Sequence, residues 1–198
     1  MMKRFRNLFW ISAACWLPFA TFAGTAEMDK PVPVFKLKGI DGKEYNLESF
    51  KNTKAVVLMF IATRCPYSNA YNERMVKLFD DYKNKGVVML AINSNNTEPL
   101  EEVRKHAADN KFEFPVLKDE GNVVADAYGA QFTPEIFLLD AKLVLRYHGR
   151  IDNSHKINEV ETHDLRNALD AMLAGKEISK KETKAFGCTI KRVKKESN

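Results

Sequence analysis

Seven consecutive apolar residues, Ala55 to Ile61, give way abruptly to Ala62-Thr63-Arg64-Cys65-Pro66, and a helical pattern starts directly behind them. An apolar run of that length reads as a strand buried on both faces, so the fold must supply a layer above it and another below. Pro66 suits the first position of a helix, where its missing N–H would have had no partner. Cys65 therefore falls at the positive end of a helix, which favours thiolate over thiol. That field is worth about 0.3–1 kcal/mol and up to ~2 in good geometry, against ~1.4 kcal/mol for one pKa unit. Arg64 beside it acts in the same direction, and together they take a thiol from ~8.5 toward ~7. A buried structural cysteine is the competing reading, because free cysteine packs well in cores. The strand, Cys-Pro step and helix in succession favour a reactive thiol.

The rest of the chain fills in the two layers. Val34 to Lys38 and Glu44 to Leu47 alternate about Asp41-Gly42, a strong hairpin signal. After the buried strand, one helix is expected from Pro66 to Lys85, with Tyr67, Tyr71, Met75, Leu78 and Tyr82 on one side and Gly86 as its stop. Val87 to Ile92 is a second buried strand running into a polar loop at Asn93. A helix over Pro99–Asn110, a strand over Phe114–Lys118 and a short helix over Asn122–Tyr128 follow. Strands over Glu135–Leu139 and Leu143–Arg150 precede a last helix over Thr162–Ala174. Buried strands alternating with such helices specify an α/β sandwich with a mainly parallel centre. Sites in such sheets gather at the carboxyl ends of strands, which makes Cys65, Asn93 and Thr133-Pro134 candidates to meet.

The first residues belong to none of this. Lys3, Arg4 and Arg6 precede Leu8–Phe22, fifteen residues without a charge, and small residues follow. That is the pattern of a signal peptide over residues 1–23, cleaved after Ala23 or, as second choice, Ala26. The run is short for a membrane span, which needs about 20 apolar residues, so an uncleaved anchor ranks behind. Residues 24–32 form a lead-in, 33–175 the domain, and 176–198 a basic tail. Export removes Cys15 and leaves Cys65 and Cys188, in a compartment where disulfides persist. It also reduces the formal charge from +5 to +2, so nucleic acid is not an expected partner. Membrane contact is limited to the signal segment or a weak attraction of the basic tail. His106, His148, His155 and His163 lack metal-like spacing, and no metal or other cofactor is implied.

In this order, the motifs Cys65-Pro66-Tyr67, Ala91-Ile92-Asn93-Ser94-Asn95, Phe132-Thr133-Pro134, Gly149-Arg150-Ile151-Asp152, Asp164-Leu165-Arg166-Asn167-Ala168-Leu169 and Gly187-Cys188-Thr189-Ile190-Lys191 resemble the thioredoxin-fold redoxins. That group includes the alkyl hydroperoxide reductase/thiol-specific antioxidant proteins, among them a peroxiredoxin-like subgroup, and the exported TlpA- and ResA-like thiol oxidoreductases. The resemblance implies a thioredoxin-like sandwich with a central mixed sheet, flanking helices and an N-terminal β-hairpin. It implies that Cys65 is the attacking thiol, and that Pro134 follows a cis peptide bond with Thr133 beside the sulfur, presenting backbone to an extended substrate.

The departures are as informative. Ser68 stands where a Cys-x-x-Cys protein carries its second cysteine. Ala62 and Leu58 stand where a peroxiredoxin has Thr and Pro, and Thr63 is one residue too close. A thiolate that attacks a disulfide or a peroxide needs a second thiol for release, and Cys188 is the internal candidate. The lysines at 180, 181 and 184 make the tail around it read as solvated, with Phe186 a docking point. Ser68 is a candidate hydrogen-bond donor to the thiolate and Thr63 a candidate holder of a peroxide oxygen, while Arg64, Asn93, Thr133 and Pro134 are candidates for substrate contact. Three readings stand: an exported thiol–disulfide oxidoreductase acting on a thiol or disulfide protein partner, a peroxidase resolved by Cys188 or an external thiol, and a non-catalytic binding domain. Oligomeric state is open.

Overall fold

The computed structural model describes residues 25–194. The expected signal segment lies outside the described residues. Among those described, no helix is long and apolar enough to cross a membrane.

A seven-stranded mixed sheet runs through the centre. In chain order its elements begin with the hairpin β1 (Lys36–Gly39) and β2 (Glu44–Asn46). The turn between them uses Gly42 at φ +81° and the Asp41 carboxylate, which accepts from the Lys43 N–H. Next come β3 (Ala55–Ile61), α1 (Pro66–Asn69), α2 (Asn72–Tyr82), β4 (Val87–Asn93), α3 (Leu100–Asp109), β5 (Val116–Lys118) and α4 (Val123–Tyr128). The series closes with β6 (Phe132–Thr133), β7 (Glu135–Asp140), β8 (Leu145–Gly149), α5 (Asp164–Leu173) and β9 (Cys188–Thr189). The sheet order is β2-β1-β5-β4-β3-β7-β8, with β6 and β9 forming a separate pair.

β3 is buried along its whole length and alternates between two cores. Val57, Met59 and Ile61 pack with Met75 and Leu78 of α2 and Leu165 and Leu169 of α5. Val56, Leu58 and Phe60 pack with Tyr128 of α4 and Phe137. A strand with no polar face is what two covered faces require. The centre is less parallel than the buried runs suggest: β3 runs parallel to β4 but antiparallel to β7. This register brings the site together, because Ile61 lies opposite Asn93 and Phe60 opposite Glu135. The end of β3, the end of β4 and the start of β7 thus share one edge.

The expected single helix behind Cys65 is two helices. The chain turns at Ala70-Tyr71, where Arg74 bonds the Ala70 carbonyl and the buried Tyr71 hydroxyl donates to Asp152. Anchoring that tyrosine under the sheet outweighs continuing the helix through it.

The tail differs most from expectation. Its lysines are outward, but Ile178, Ala185 and Ile190 are buried between them. It runs beside β8, where the His148 N–H bonds the Lys181 carbonyl and the Thr183 N–H bonds the His148 carbonyl. It then crosses to pair with β6. Beyond β9 it is pinned by Ile190 N–H to the Gln131 carbonyl, Val193 N–H to Asn122 Oδ1, and Arg192 to Asp126 and the Ala130 carbonyl. Charge alone made it read as solvated, and the sparse apolar residues that anchor it follow no helix or strand period.

Candidate active site

Cys65 caps α1, and its sulfur accepts the Ser68 backbone N–H at 3.3 Å. The same sulfur lies 3.3 Å from the Thr133 carbonyl, to which the protonated thiol donates. The Thr133–Pro134 peptide is cis, and Thr133 itself is buried. Cys65 is 3% exposed. Burial pushes the thiol up, but its polar surroundings, Cys188 foremost, then Thr133 and the Ser68 backbone N–H, outweigh that and hold Cys65 below the usual cysteine range, while the Thr133 hydroxyl donates to the Cys188 carbonyl at 3.4 Å. Because α1 is a single turn, these directed donors, more than a long helix field, stabilise the thiolate.

Cys188 reaches this sulfur through β9. Thr133 pairs with Cys188 and Phe132 with Thr189 in antiparallel register. Gly187 comes so close that a Cβ there would lie 2.0 Å from the Thr133 oxygen, at a φ of +152°. Both cysteines are free thiols. Burial, and then the hydrogen bond and charge of Cys65, push Cys188 up to about 11. The pair therefore divides its roles, with the thiolate on Cys65 and the proton on Cys188.

Of the other candidates, Thr133 and Pro134 stand beside the sulfur and the rest act differently or elsewhere. Ser68 contributes its backbone N–H, while its hydroxyl accepts from Ala62 N–H at 3.1 Å and so braces the loop. The Thr63 hydroxyl is not free to hold a peroxide oxygen, since it donates to Glu102 at 2.7 Å. Arg64 is turned outward onto the same Glu102 carboxylate, so its charge is spent there and does not reach the thiol. With Arg64 and Thr63 donating to it, Glu102 is held down to about 2. Asn93 is fully buried and bonds Glu98 and Lys118 rather than facing the sulfur.

Glu98 is the residue that sequence reasoning missed. It is 2% exposed, and its carboxylate takes four donors: the Thr63 and Arg64 backbone N–H groups and the Asn93 and Asn95 amides. It therefore fixes the loop that carries Cys65. Asn95 also accepts from the Lys191 N–H at 2.6 Å, which ties the tail to the same network. A lone glutamate in a polar loop gives no sequence signal of this. An aromatic cluster of Tyr67, His155 and Phe186 borders the site, with Tyr67 40% exposed.

Comparison with known proteins bears on the family and the fold. The chain is 32% identical over 121 residues to the thiol-disulfide oxidoreductase ResA of Halalkalibacterium halodurans, a match covering 61% of this chain and 64% of that protein. The chain thus spans just under two thirds of the length of that relative. An uncharacterized conserved protein from Geobacillus kaustophilus has a solved structure with TM-score 0.80 and 36% identity, covering 87% of this chain and 94% of that one. A putative thiol:disulfide interchange protein DsbE from Chlorobium tepidum superposes with TM-score 0.65 at 23% identity over 75% of this chain and 99% of that one, which bears on the fold alone. The sheet and its flanking helices are those of the thioredoxin fold. Residues 28–158, from the lead-in to the segment between β8 and α5, match the model of the AhpC/TSA family, and the chain belongs to that family.

Proposed function

We propose that the protein is an exported thiol–disulfide oxidoreductase in which Cys65 attacks and Cys188 resolves. The observation that carries this is the pairing of Thr133 with Cys188, which sets the two thiols against each other. The Cys65 thiolate attacks one sulfur of a partner disulfide. A Cys65–partner bond forms, the partner S–S bond breaks, and the departing sulfur leaves with the electron pair. Cys188 then loses its proton and attacks the Cys65 sulfur. The partner leaves as a dithiol and the chain keeps a Cys65–Cys188 disulfide, oxidised by two electrons. The reverse sequence oxidises a partner dithiol. The relative potentials of chain and partner set the direction.

One feature favours disulfide exchange over peroxide reduction. Thr63 and Arg64, the polar groups nearest in sequence, are both committed to Glu102. The proposed organisation is a signal peptide over residues 1–23, a lead-in over 24–32, a catalytic domain over 33–175 and a tail over 176–198 that completes the site.

Intact mass and peptide mapping after treatment with a small disulfide test the reading. The expected product is a chain lighter by two hydrogens, with the fragments bearing Cys65 and Cys188 joined. In Cys188→Ser the reaction stops at a mixed disulfide on Cys65. Retention of two free thiols in the treated parent chain sinks the proposed resolution.

A further inference from the structure

The β6 edge takes an extended segment by rules that can be read from the segment already on it. Backbone pairing sets the direction, antiparallel through Phe132–Thr189 and Thr133–Cys188. Side chains then alternate, as in any strand: Cys188 faces the Cys65 sulfur, Thr189 is exposed, and Ile190 is buried. Ile190 joins the core that holds Phe60 and Tyr128, and its N–H bonds the Gln131 carbonyl. The position before the cysteine admits only glycine, because any Cβ would overlap the Thr133 oxygen. Cys65 is almost wholly covered while the tail is in place.

We propose that residues Gly187–Ile190 are a tethered occupant of a docking edge whose external ligand is an extended polypeptide carrying Gly-Cys-x-aliphatic, and that this ligand enters by displacing the tail. The docking edge deepens the proposed function, since it names the partner for the Cys65 thiolate. Its chemistry is the exchange already written: Cys65 forms a bond to the partner's cysteine sulfur, and the group disulfide-bonded to that cysteine leaves as a thiolate. The tail competes at high local concentration because it is part of the same chain. Only a partner sharing its glycine and aliphatic contacts competes well.

The test uses the full chain carrying Cys188→Ser, with and without Gly187→Ala, which drives a methyl group into the Thr133 oxygen and lifts β9. The probe is a fluorescein-labelled peptide Lys-Ala-Phe-Gly-Ser-Thr-Ile-Lys-Arg, titrated by anisotropy, so that binding is read without chemistry. Gly187→Ala should tighten peptide binding by about tenfold, and valine in place of the peptide glycine should weaken it by at least about tenfold, ~1.4 kcal/mol each. Ile190→Ser is the second way to lift the tail and should act in the same direction. Equal affinity for the glycine and valine peptides, or no binding to either tail-lifted chain, overturns the proposal. A cysteine version of the peptide, activated as a mixed disulfide with thionitrobenzoate, separates docking from chemistry through release of the coloured thiolate. Binding without release leaves the docking edge standing and removes Cys65 as nucleophile. Release at equal rates from the glycine and valine peptides does the opposite.

Discussion

Cys65 stands at the end of a seven-residue strand hydrogen-bonded along both edges, whereas Cys188 stands on a two-residue strand paired along one. The first thiol is carried by the sheet, by the Ser68 brace and by the four donors that converge on Glu98. The second is carried by a handful of tail bonds and by three buried apolar side chains, Ile178, Ala185 and Ile190. An exchange site benefits from this inequality. The nucleophile is held where its donors meet, and the resolving thiol can leave with the tail without unpairing the central sheet.

The largest effect that separates the two regions is the cost of truncating a buried aliphatic side chain in each. Leu58 is fully buried in β3, and Leu58→Ala should cost about 2–5 kcal/mol in urea denaturation, through lost burial and the cavity left behind. Ile190→Ala removes comparable apolar contact, but its global cost is capped by the free energy of docking the tail, because the tail can come off before the sheet unfolds. Its signature should be local: faster hydrogen exchange at the Ile190 N–H, which bonds the Gln131 carbonyl, with a midpoint shifted far less than in Leu58→Ala. Equal global costs would mean that the tail belongs to the same cooperative unit as β3, and the contrast would fail.

The same contrast decided what the sequence disclosed. β3 was legible because an unbroken apolar run has few ways to be buried, and the Asp41-Gly42 turn and the Gly86 stop announce themselves by their backbone needs. Cys65, Thr133 and Pro134 were legible through the motifs they share with redoxins. The roles of Thr63, Arg64 and Asn93 were not, because each is decided by Glu98 or Glu102, acids supplied by a later loop and helix. The path of the tail was hidden for a related reason. It is held by backbone bonds to distant carbonyls and side chains, and only Gly187, with a positive φ and no room for a Cβ, leaves a trace in the residue type.

A second difference lies in the titration of the two thiols, read by the pH dependence of iodoacetamide alkylation at each cysteine. The midpoint for Cys65 should fall below that of a free cysteine, because its donors favour the thiolate. The midpoint for Cys188 should lie near 11, since burial and the neighbouring Cys65 thiolate both oppose a second negative charge. Against an ordinary thiol near ~8.5, that raises the protonated fraction enough to leave at least about 100-fold less thiolate on Cys188 at neutral pH. Cys65→Ser replaces the thiolate by a neutral hydroxyl and so removes its charge, while burial remains, so the Cys188 midpoint should drop part of the way toward the ordinary value. A Cys188 midpoint that ignores Cys65→Ser would place the two sulfurs out of contact.

The smallest effects compare two acids that hold the Cys65 loop, one buried and one at the surface. Glu98→Gln keeps the volume of the side chain but puts an NH2 where an oxygen accepts two donors. Either choice of amide orientation leaves one backbone N–H, of Thr63 or Arg64, and one Asn amide without an acceptor. Unsatisfied buried donors of this kind cost about 1–3 kcal/mol, and because the site is 2% exposed, added salt should not relieve the loss. Arg64→Ala breaks a pair whose guanidinium side is 59% exposed, so it should cost less than about 1 kcal/mol and shrink further at high salt. The Thr63 hydroxyl, still bonded to Glu102 in that variant, limits the damage. Denaturation of both variants at low and high salt checks the ranking. A Glu98→Gln chain as stable as the parent would show that the loop is positioned by Ser68 and the sheet alone, and that the carboxylate is dispensable to the placing of Cys65.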